Sequence, residues 1–155
     1  MIETLRVRNP MAFEIPEIQK LMDDAFANVT NKVVKSYAPA SVEEDNVGFF
    51  LAKDTTTGEW KGMAWVRNSH FDGDKSALVI HFFCKRAGRG VREALVADVV
   101  RFAKEGGMET LMAWDINRKA RAFQKIFKSA GPSKEVMRAY EFDLRGAKAD
   151  ETDST

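Results

Sequence analysis

The sequence is poor in the residues that build metal centres and covalent cross-links. It contains one cysteine, Cys84, and only two histidines. A single cysteine excludes an internal disulfide framework, is typical of a reducing compartment, and argues against a cysteine-based metal site. We therefore expect no metal site and a cytoplasmic location.

Long hydrophobic runs are also missing. No apolar stretch approaches the roughly 18 residues that a membrane span needs, and the first residues, MIETLRVRN, lack the hydrophobic core of a signal peptide. The chain has 155 residues, of which 45% are hydrophobic and 30% are charged, enough for one domain with a substantial core. We predict a single domain over residues 1–146, a polar disordered tail over 147–155, and no membrane partner.

A net charge of +1 conceals an uneven distribution of charge. Residues 85–138 contain about 13 basic and about 6 acidic side chains, so the rest of the chain is acidic. The basic segment is compatible with a polyanionic cofactor or with nucleic acid, and equally with the solvated faces of two helices. No recognised motif supports nucleic acid as the partner, so that interpretation ranks lowest.

Hydrophobic periodicity predicts alternating strands and helices along the domain. One helix begins at Pro16 and presents an apolar stripe, and another, over residues 91–105, is bounded by glycines at both ends. The predicted strands cover residues 2–8, 48–53, 60–67, 77–84, 110–114 and 135–144, with a short helix near 41–45 and a further helix over 118–129. This order favours a mixed sheet with helices on both faces.

The segment 76–96, SALVIHFFCKRAGRGVREALV, carries the strongest functional signal. An apolar strand runs into a turn with two glycines and three arginines, and a helix follows at once. Backbone N–H groups and the dipole at a helix N-terminus favour an anion, glycines permit its close approach, and arginines add charge-assisted hydrogen bonds. The pattern predicts a phosphate site, with an ordinary strand-to-helix turn as the alternative.

Together with the order of elements, two short motifs resemble the GNAT superfamily of acyl-CoA-dependent N-acyltransferases. The family's pyrophosphate-binding pattern, Arg/Gln-x-x-Gly-x-Gly/Ala, is similar to residues 87–92, AGRGVR, with Gly90 at the central glycine and Gly88 as a frequent companion. Residues 117–120, NRKA, match the Asn-x-x-Ala that often opens a later helix. The resemblance covers nearly the whole chain and implies an α/β (α+β) fold with a mixed, mostly antiparallel central sheet and helices on both faces.

The resemblance also implies acetyl-CoA as the acyl donor and indicates the residues that bind it. Backbone groups near the end of the central strand, where it splays from its neighbour, would contact the cofactor. The N–H groups of residues 88–93 would hold the phosphates, and arginines would add charge. The predicted cofactor-binding residues are Phe82, Phe83, Cys84, Arg86, Gly88, Arg89, Gly90, Val91, Arg92, Glu93, Asn117 and Ala120.

Three positions depart from the family pattern. Ala87 stands at the first Arg or Gln, although Arg86 is adjacent, and Arg92 stands where the family has Gly or Ala. Many members carry a tyrosine whose hydroxyl protonates the departing thiolate. Here Phe127 or Gln124 takes that place, depending on whether the last helix is aligned from its end or its start. These departures favour the alternative of a GNAT-fold protein that has lost catalysis and has a binding or structural role.

Two residues are candidates for the general base that acyl transfer to an amine requires. His81 lies on the central strand just before the expected splay, and imidazole titrates near neutrality. The alternative is a buried, hydrogen-bonded core histidine. Asp115 closes the next strand and would act through water, with a helix-capping or loop carboxylate as its alternative. The acidic residues 43–45 would line an acceptor site for a cationic amine or form a solvated run.

Strand alternation predicts that His81 shares a face of the sheet with Val79 and Phe83. Cys84 then points to the opposite face, so no cysteine–histidine pair is expected. The leading interpretation is an acetyl-CoA-dependent N-acetyltransferase that transfers the acetyl group directly to a primary amine in a ternary complex. Its predicted partners are acyl-CoA and an amine acceptor, and the sequence leaves a homodimer open.

Overall fold

The structure is a computed structural model that describes residues 1–29, 33–71, 74–86, 90–113, 125–132 and 144–145. The strands are β1 (Ile2–Arg6), β2 (Val47–Asp54), β3 (Glu59–Phe71), β4 (Asp74–Cys84) and β5 (Thr110–Ala113). The α-helices are α1 (Pro16–Ala25), α2 (Val33–Ser36), α3 (Ala38–Ser41) and α4 (Val91–Glu105), and 3₁₀-helices cover Pro10–Glu14 and Lys128–Ala130.

The five strands form one sheet in the order β1–β2–β3–β4–β5. The first four are antiparallel neighbours, whereas β5 lies parallel to β4 after the chain has crossed over through α4. The side-chain hydroxyls of Ser76 and Thr110 form a 2.7 Å hydrogen bond across this parallel pair. The predicted mixed, mostly antiparallel sheet is confirmed.

The two faces of the sheet are covered by different helices, as predicted. Consecutive residues of a strand point to opposite faces, so Phe49 and Leu51 belong to one core and Phe50 and Ala52 to the other. Helix α1 closes the first core with its apolar stripe of Ile18, Leu21, Met22 and Ala25. Helix α4 closes the second with Val91, Leu95, Val96, Val99 and Ala103.

The predicted helix bounds are correct where glycine or proline sets them. Helix α4 spans the predicted residues 91–105, and α1 begins at Pro16. The short helix predicted near residues 41–45 is wrong: α2 and α3 lie earlier in the chain, with Pro39 in the first turn of α3, and residues 42–46 form turns. The predicted strand over 135–144 and most of the helix over 118–129 lie outside the described residues.

A one-residue irregularity interrupts the pairing of β3 with β4. Trp65 pairs with His81, but the next pair is Val66 with Val79, so Ile80 is an extra residue in β4. This is the arrangement of a β-bulge. Val79 packs in the α4 core, whereas Ile80 packs in the α1 core and His81 stacks on Phe26 of that same core. The predicted common face for His81 and Val79 is therefore wrong, because the extra residue reverses the alternation there.

Gly62 of β3 allows α4 to lie close to the sheet at its first turn. A Cβ at this position would be 2.7 Å from the Phe83 carbonyl oxygen, 2.9 Å from a methyl of Val91 and 3.0 Å from a methyl of Leu95. Backbone and fully buried side chains cannot move aside easily, since the interior is close-packed. The glycine thus sets the distance between the sheet and the helix.

We expect Gly62→Ala to lower the free energy of unfolding by about 1–3 kcal/mol, because the added methyl group overpacks the core. Chemical denaturation measured by circular dichroism would give this value. Gly62→Val should cost more, since its side chain is larger at the same contacts. Equal stability of wild type and both variants would contradict the close approach of α4 to β3.

Candidate functional site

The end of β4 and the start of α4 leave an uncapped helix N-terminus. Gly90 is the N-cap residue and has φ of +92°, in the left-handed region that glycine adopts without strain. No side chain among the described residues caps the helix, and the first helical bond runs from Ala94 N–H to the Gly90 carbonyl at 3.0 Å. The preceding N–H groups of the first turn are therefore available to an anion.

Charged side chains surround this N-terminus. Arg86 and Arg92 are exposed, and Glu93 lies in the first turn of α4. Because Arg92 points to solvent, its bulk does not fill the space against the sheet. The predicted residues Gly88 and Arg89 lie outside the described residues.

Cys84, at the end of β4, is not activated as a nucleophile. Burial raises the pKa of its thiol to about 11, with Arg92 lowering it and Glu93 raising it further. The thiol is thus protonated at neutral pH, and the reactive species of cysteine is the thiolate. Its side chain packs in the α4 core, on the face opposite His81 as predicted.

His81 is packed and hydrogen-bonded within the face that α1 covers. Its ring stacks on Phe26 at 4.2 Å between centroids, and Nε2 donates to the Ala25 carbonyl oxygen at 2.6 Å. Burial lowers the pKa of His81 below its usual 6.5, although the hydrogen bond to Ala25 opposes this. The imidazole is neutral at pH 7, and Nδ1 is the ring nitrogen left to accept a proton.

Phe82 and Phe127 meet on the opposite face of β4. Their rings are 5.5 Å apart in an edge-to-face arrangement, and Phe127 is buried. This contact brings Phe127, which belongs to the helix predicted over residues 118–129, next to the end of the central strand. Phe127 carries no hydroxyl, so no proton donor comes from its position.

A cavity of about 410 Å³ lies on the α1 side of the sheet, between β3, β4 and the helices α2 and α3. Its volume is within the range of small-molecule sites. Trp65 on its wall is the cross-strand partner of His81, and the indole N–H of Trp65 is buried without a hydrogen-bond partner in the described structure. The apolar and aromatic residues that line the cavity are Val34, Tyr37, Ala40, Trp65 and Ile80.

An ion pair occupies one side of this cavity. Arg67 of β3 donates from Nη2 to Glu44 Oε2 at 2.7 Å, and both residues line the cavity. Asp45 lies elsewhere, because its carboxylate accepts from Arg8 at 2.7 Å. Of the three acidic residues predicted as an acceptor site, Glu44 alone is among the described lining residues.

The structure brings together only part of the predicted site. Residues 82–84, Arg86 and the start of α4 lie together at one end of β4, with His81 just before them, on the face of Phe83 as predicted and opposite Phe82 and Cys84. The predicted Asp115, Asn117 and Ala120 lie outside the described residues, as does the expected splay of β4, because the described pairing with β5 ends at Val79 and Ala113. The cavity was not predicted, because its lining comes from positions 34 to 80, without a motif.

Metal clusters and membrane-spanning helices are both absent from the described residues. They contain no group of three or more His, Cys, Asp or Glu side chains placed to bind a metal ion. No described helix combines the length and the hydrophobicity that crossing a bilayer requires.

Solved structures of acetyltransferases have the same fold. No protein family and no curated protein matches the sequence. An aminoglycoside N-acetyltransferase, AAC(6')-Iy in complex with CoA, is 18% identical with a TM-score of 0.69, over 94% of this chain and 95% of that one. Ribosomal-protein-alanine N-acetyltransferase from Brucella melitensis is 14% identical with a TM-score of 0.66, over 92% and 99%.

A third likeness comes from a plant enzyme. Glucosamine-6-phosphate N-acetyltransferase from Arabidopsis thaliana is 13% identical, with a TM-score of 0.64, over 92% of this chain and 99% of that one. At these identities the likeness concerns the fold. The chain has the GNAT fold, as the motifs at residues 87–92 and 117–120 led us to expect.

Proposed function

We propose that this protein is an acetyl-CoA-dependent N-acetyltransferase that transfers the acetyl group directly to a primary amine in a ternary complex. The observation that carries the proposal is the uncapped N-terminus of α4, which follows the central strand through a left-handed glycine. It occurs in a fold shared with acetyltransferases, one of them solved in complex with CoA. A phosphate group is the ligand that such a helix start favours.

The donor would bind at the end of β4. The pyrophosphate would lie on the N–H groups of the first turn of α4, with Arg86 and Arg92 supplying charge-assisted bonds from solvent. Glu93 would contribute only its backbone, because its carboxylate repels a phosphate. The backbone of residues 82–84 would contact the rest of the donor. Gly88, Arg89, Asn117 and Ala120 remain proposed parts of the same site.

The reaction needs a deprotonated amine and a proton for the departing thiolate. The amine nitrogen attacks the thioester carbonyl carbon, the carbon–sulfur bond breaks, and the acetyl group ends on nitrogen. We assign proton removal to Nδ1 of His81, since Nε2 already donates to Ala25. Asp115, acting through water, remains the second proposed base. The thiolate would take its proton from solvent, because Phe127 has none to give.

A binding protein without turnover is the second candidate. Two observations favour it: the ring of Phe127 replaces a phenol beside Phe82, and the His81 ring is held by Phe26 and Ala25. Such a protein would still bind acyl-CoA at α4. Measurements of binding and of turnover therefore separate the two candidates.

We expect saturating acetyl-CoA to raise the melting temperature, because it binds the native state. At a ligand concentration of 100 times Kd the gain is about 2.7 kcal/mol, or roughly 5–10 °C for a chain of this size. Differential scanning fluorimetry with acetyl-CoA, and with adenosine as the control that lacks the pyrophosphate, would measure it. No shift at millimolar acetyl-CoA would overturn the proposed function. A shift without thiol release in the presence of amines would favour the second candidate.

A further inference from the structure

The cavity beside Trp65 adjoins the proposed base. Trp65 is the cross-strand partner of His81, and Ile80 precedes His81 in β4. Both of these lining residues face the α1 side of the sheet, on which His81 also lies. His81 does not itself line the cavity, but two lining residues are its neighbours in the sheet and share its face.

The size and the lining of the cavity are suited to a small ligand with an apolar body. A volume of about 410 Å³ accommodates a small molecule and not a folded partner. Tyr37 lines the cavity although 63% of its surface is exposed, so an aromatic face is available to an occupant. Aromatic faces attract both apolar groups and single ammonium ions.

The charged residues that line the cavity argue against a polycationic ligand. Among the described lining residues, Glu44 and Arg67 carry charge, and they neutralise each other in a 2.7 Å ion pair. Asp45, which does not line the cavity, is paired with Arg8. A polyamine or an aminoglycoside would bring several positive charges to a wall whose described charges cancel, and those charges would lose hydration.

We infer that this cavity holds the carbon skeleton of the acceptor, which is a small monoamine with an aromatic or aliphatic body. The inference rests on the proposed function and narrows its acceptor class. It excludes aminoglycosides, after which several structurally similar acetyltransferases are named. The amino group would lie at the His81 end of the cavity, and the body would pack between Tyr37, Ile80 and Trp65.

Isothermal titration calorimetry of the full chain tests the inference without requiring turnover. The probes are phenethylamine, a monoamine with an aromatic body, and spermidine, a flexible polycation. We expect phenethylamine to bind at least about tenfold more tightly than spermidine. Equal or tighter binding of spermidine, or no binding of phenethylamine, would overturn the inference.

Variants at Tyr37 locate the binding. Because Tyr37 is largely exposed, replacing it should not unfold the protein. We expect Tyr37→Ala to weaken phenethylamine binding about tenfold, whereas Tyr37→Phe, which keeps the ring, stays within about twofold of wild type. Equal affinities of the two variants would place the amine elsewhere and contradict the proposal.

Acetyl-CoA titrated into the same samples distinguishes the two failures. Tyr37 lies far along the chain from the α4 turn and lines a cavity on the other side of the sheet, so both variants should bind acetyl-CoA as wild type does. If the wild-type protein binds phenethylamine but not acetyl-CoA, the proposed function is wrong. If the wild-type protein binds acetyl-CoA but not phenethylamine, only the inferred class of acceptor is wrong.

Discussion

Gly90→Glu should abolish measurable acetyl-CoA binding, with a loss of at least about 100-fold in affinity. The substitution places a carboxylate at the N-cap of α4, where the pyrophosphate would contact backbone N–H groups. Among the described residues the position has room for a side chain, because a Cβ there would meet Ile2 at 3.8 Å and no other described residue within 4 Å. Isothermal titration calorimetry with acetyl-CoA would measure the loss.

Gly107→Glu is the matched control for this experiment. Gly107 follows the other end of the same helix, has φ of +79°, and has no described atom within 4 Å of an added Cβ. It therefore shares the backbone strain of about 1–2 kcal/mol and the added charge of the Gly90 variant. Normal acetyl-CoA binding by Gly107→Glu is expected, and equal loss in both variants would attribute the effect to stability.

His81→Gln should reduce kcat/KM for amine acetylation by about 100-fold or more, the usual contribution of a general base. Glutamine keeps an N–H group that can donate to the Ala25 carbonyl, but it cannot accept a proton. Thiol release from acetyl-CoA under saturating donor would give the rate. Acetyl-CoA binding should be unchanged, because His81 lies on the face of β4 opposite Phe82 and Cys84.

The pH dependence separates a base from a structural histidine. Burial lowers the pKa of His81 below 6.5, so the ring stays in its basic form as the pH falls through 6.5, and kcat/KM should decline only below that value. In His81→Gln this decline in kcat/KM at low pH should disappear. If His81→Gln shows the same decline in kcat/KM at low pH, or the same rate as wild type, then His81 has a structural role and another residue is the base.

The same shift predicts a dependence of stability on pH. The unfolded chain binds a proton at His81 near pH 6.5, whereas the folded chain does so only at lower pH. The stability associated with neutral His81 is therefore complete above pH 6.5 and is lost as the pH falls towards the folded-state value. His81→Gln should lack this contribution.

The sequence predicted elements that glycine, proline and periodicity define locally. Gly90 and Gly106 bound α4, Pro16 begins α1, and alternation in β2 divides Phe49 and Phe50 between the two cores. These signals act within a few residues and do not depend on tertiary partners. The sequence of residues 88–90 predicts a phosphate site for the same reason, since a glycine at a helix start allows close approach of an anion whatever the tertiary partners are.

The cavity and the orientation of His81 could not be predicted in this way. Tyr37, Glu44, Trp65 and Ile80 come together only through pairing of β3 with β4 and packing of two short helices. Alternation also assumes an unbroken register, and no local pattern in β4 marks the extra residue. Tertiary pairing therefore decides both the acceptor side of the site and the face on which its base lies.

The bulge in β4 adds one residue to the wall of the cavity without changing the face of the residues on either side of it. It puts two successive residues, Ile80 and His81, on one face, so the wall of the cavity and the proposed base become neighbours in sequence and in space. Deleting Ile80 would close the bulge and leave Val79 and His81 on the opposite faces that they already occupy, so the cavity would lose one wall residue while the proposed base kept its face. The inserted residue thus enlarges the wall on the acceptor side of the site, and the donor side at Phe82 and Cys84 does not depend on it.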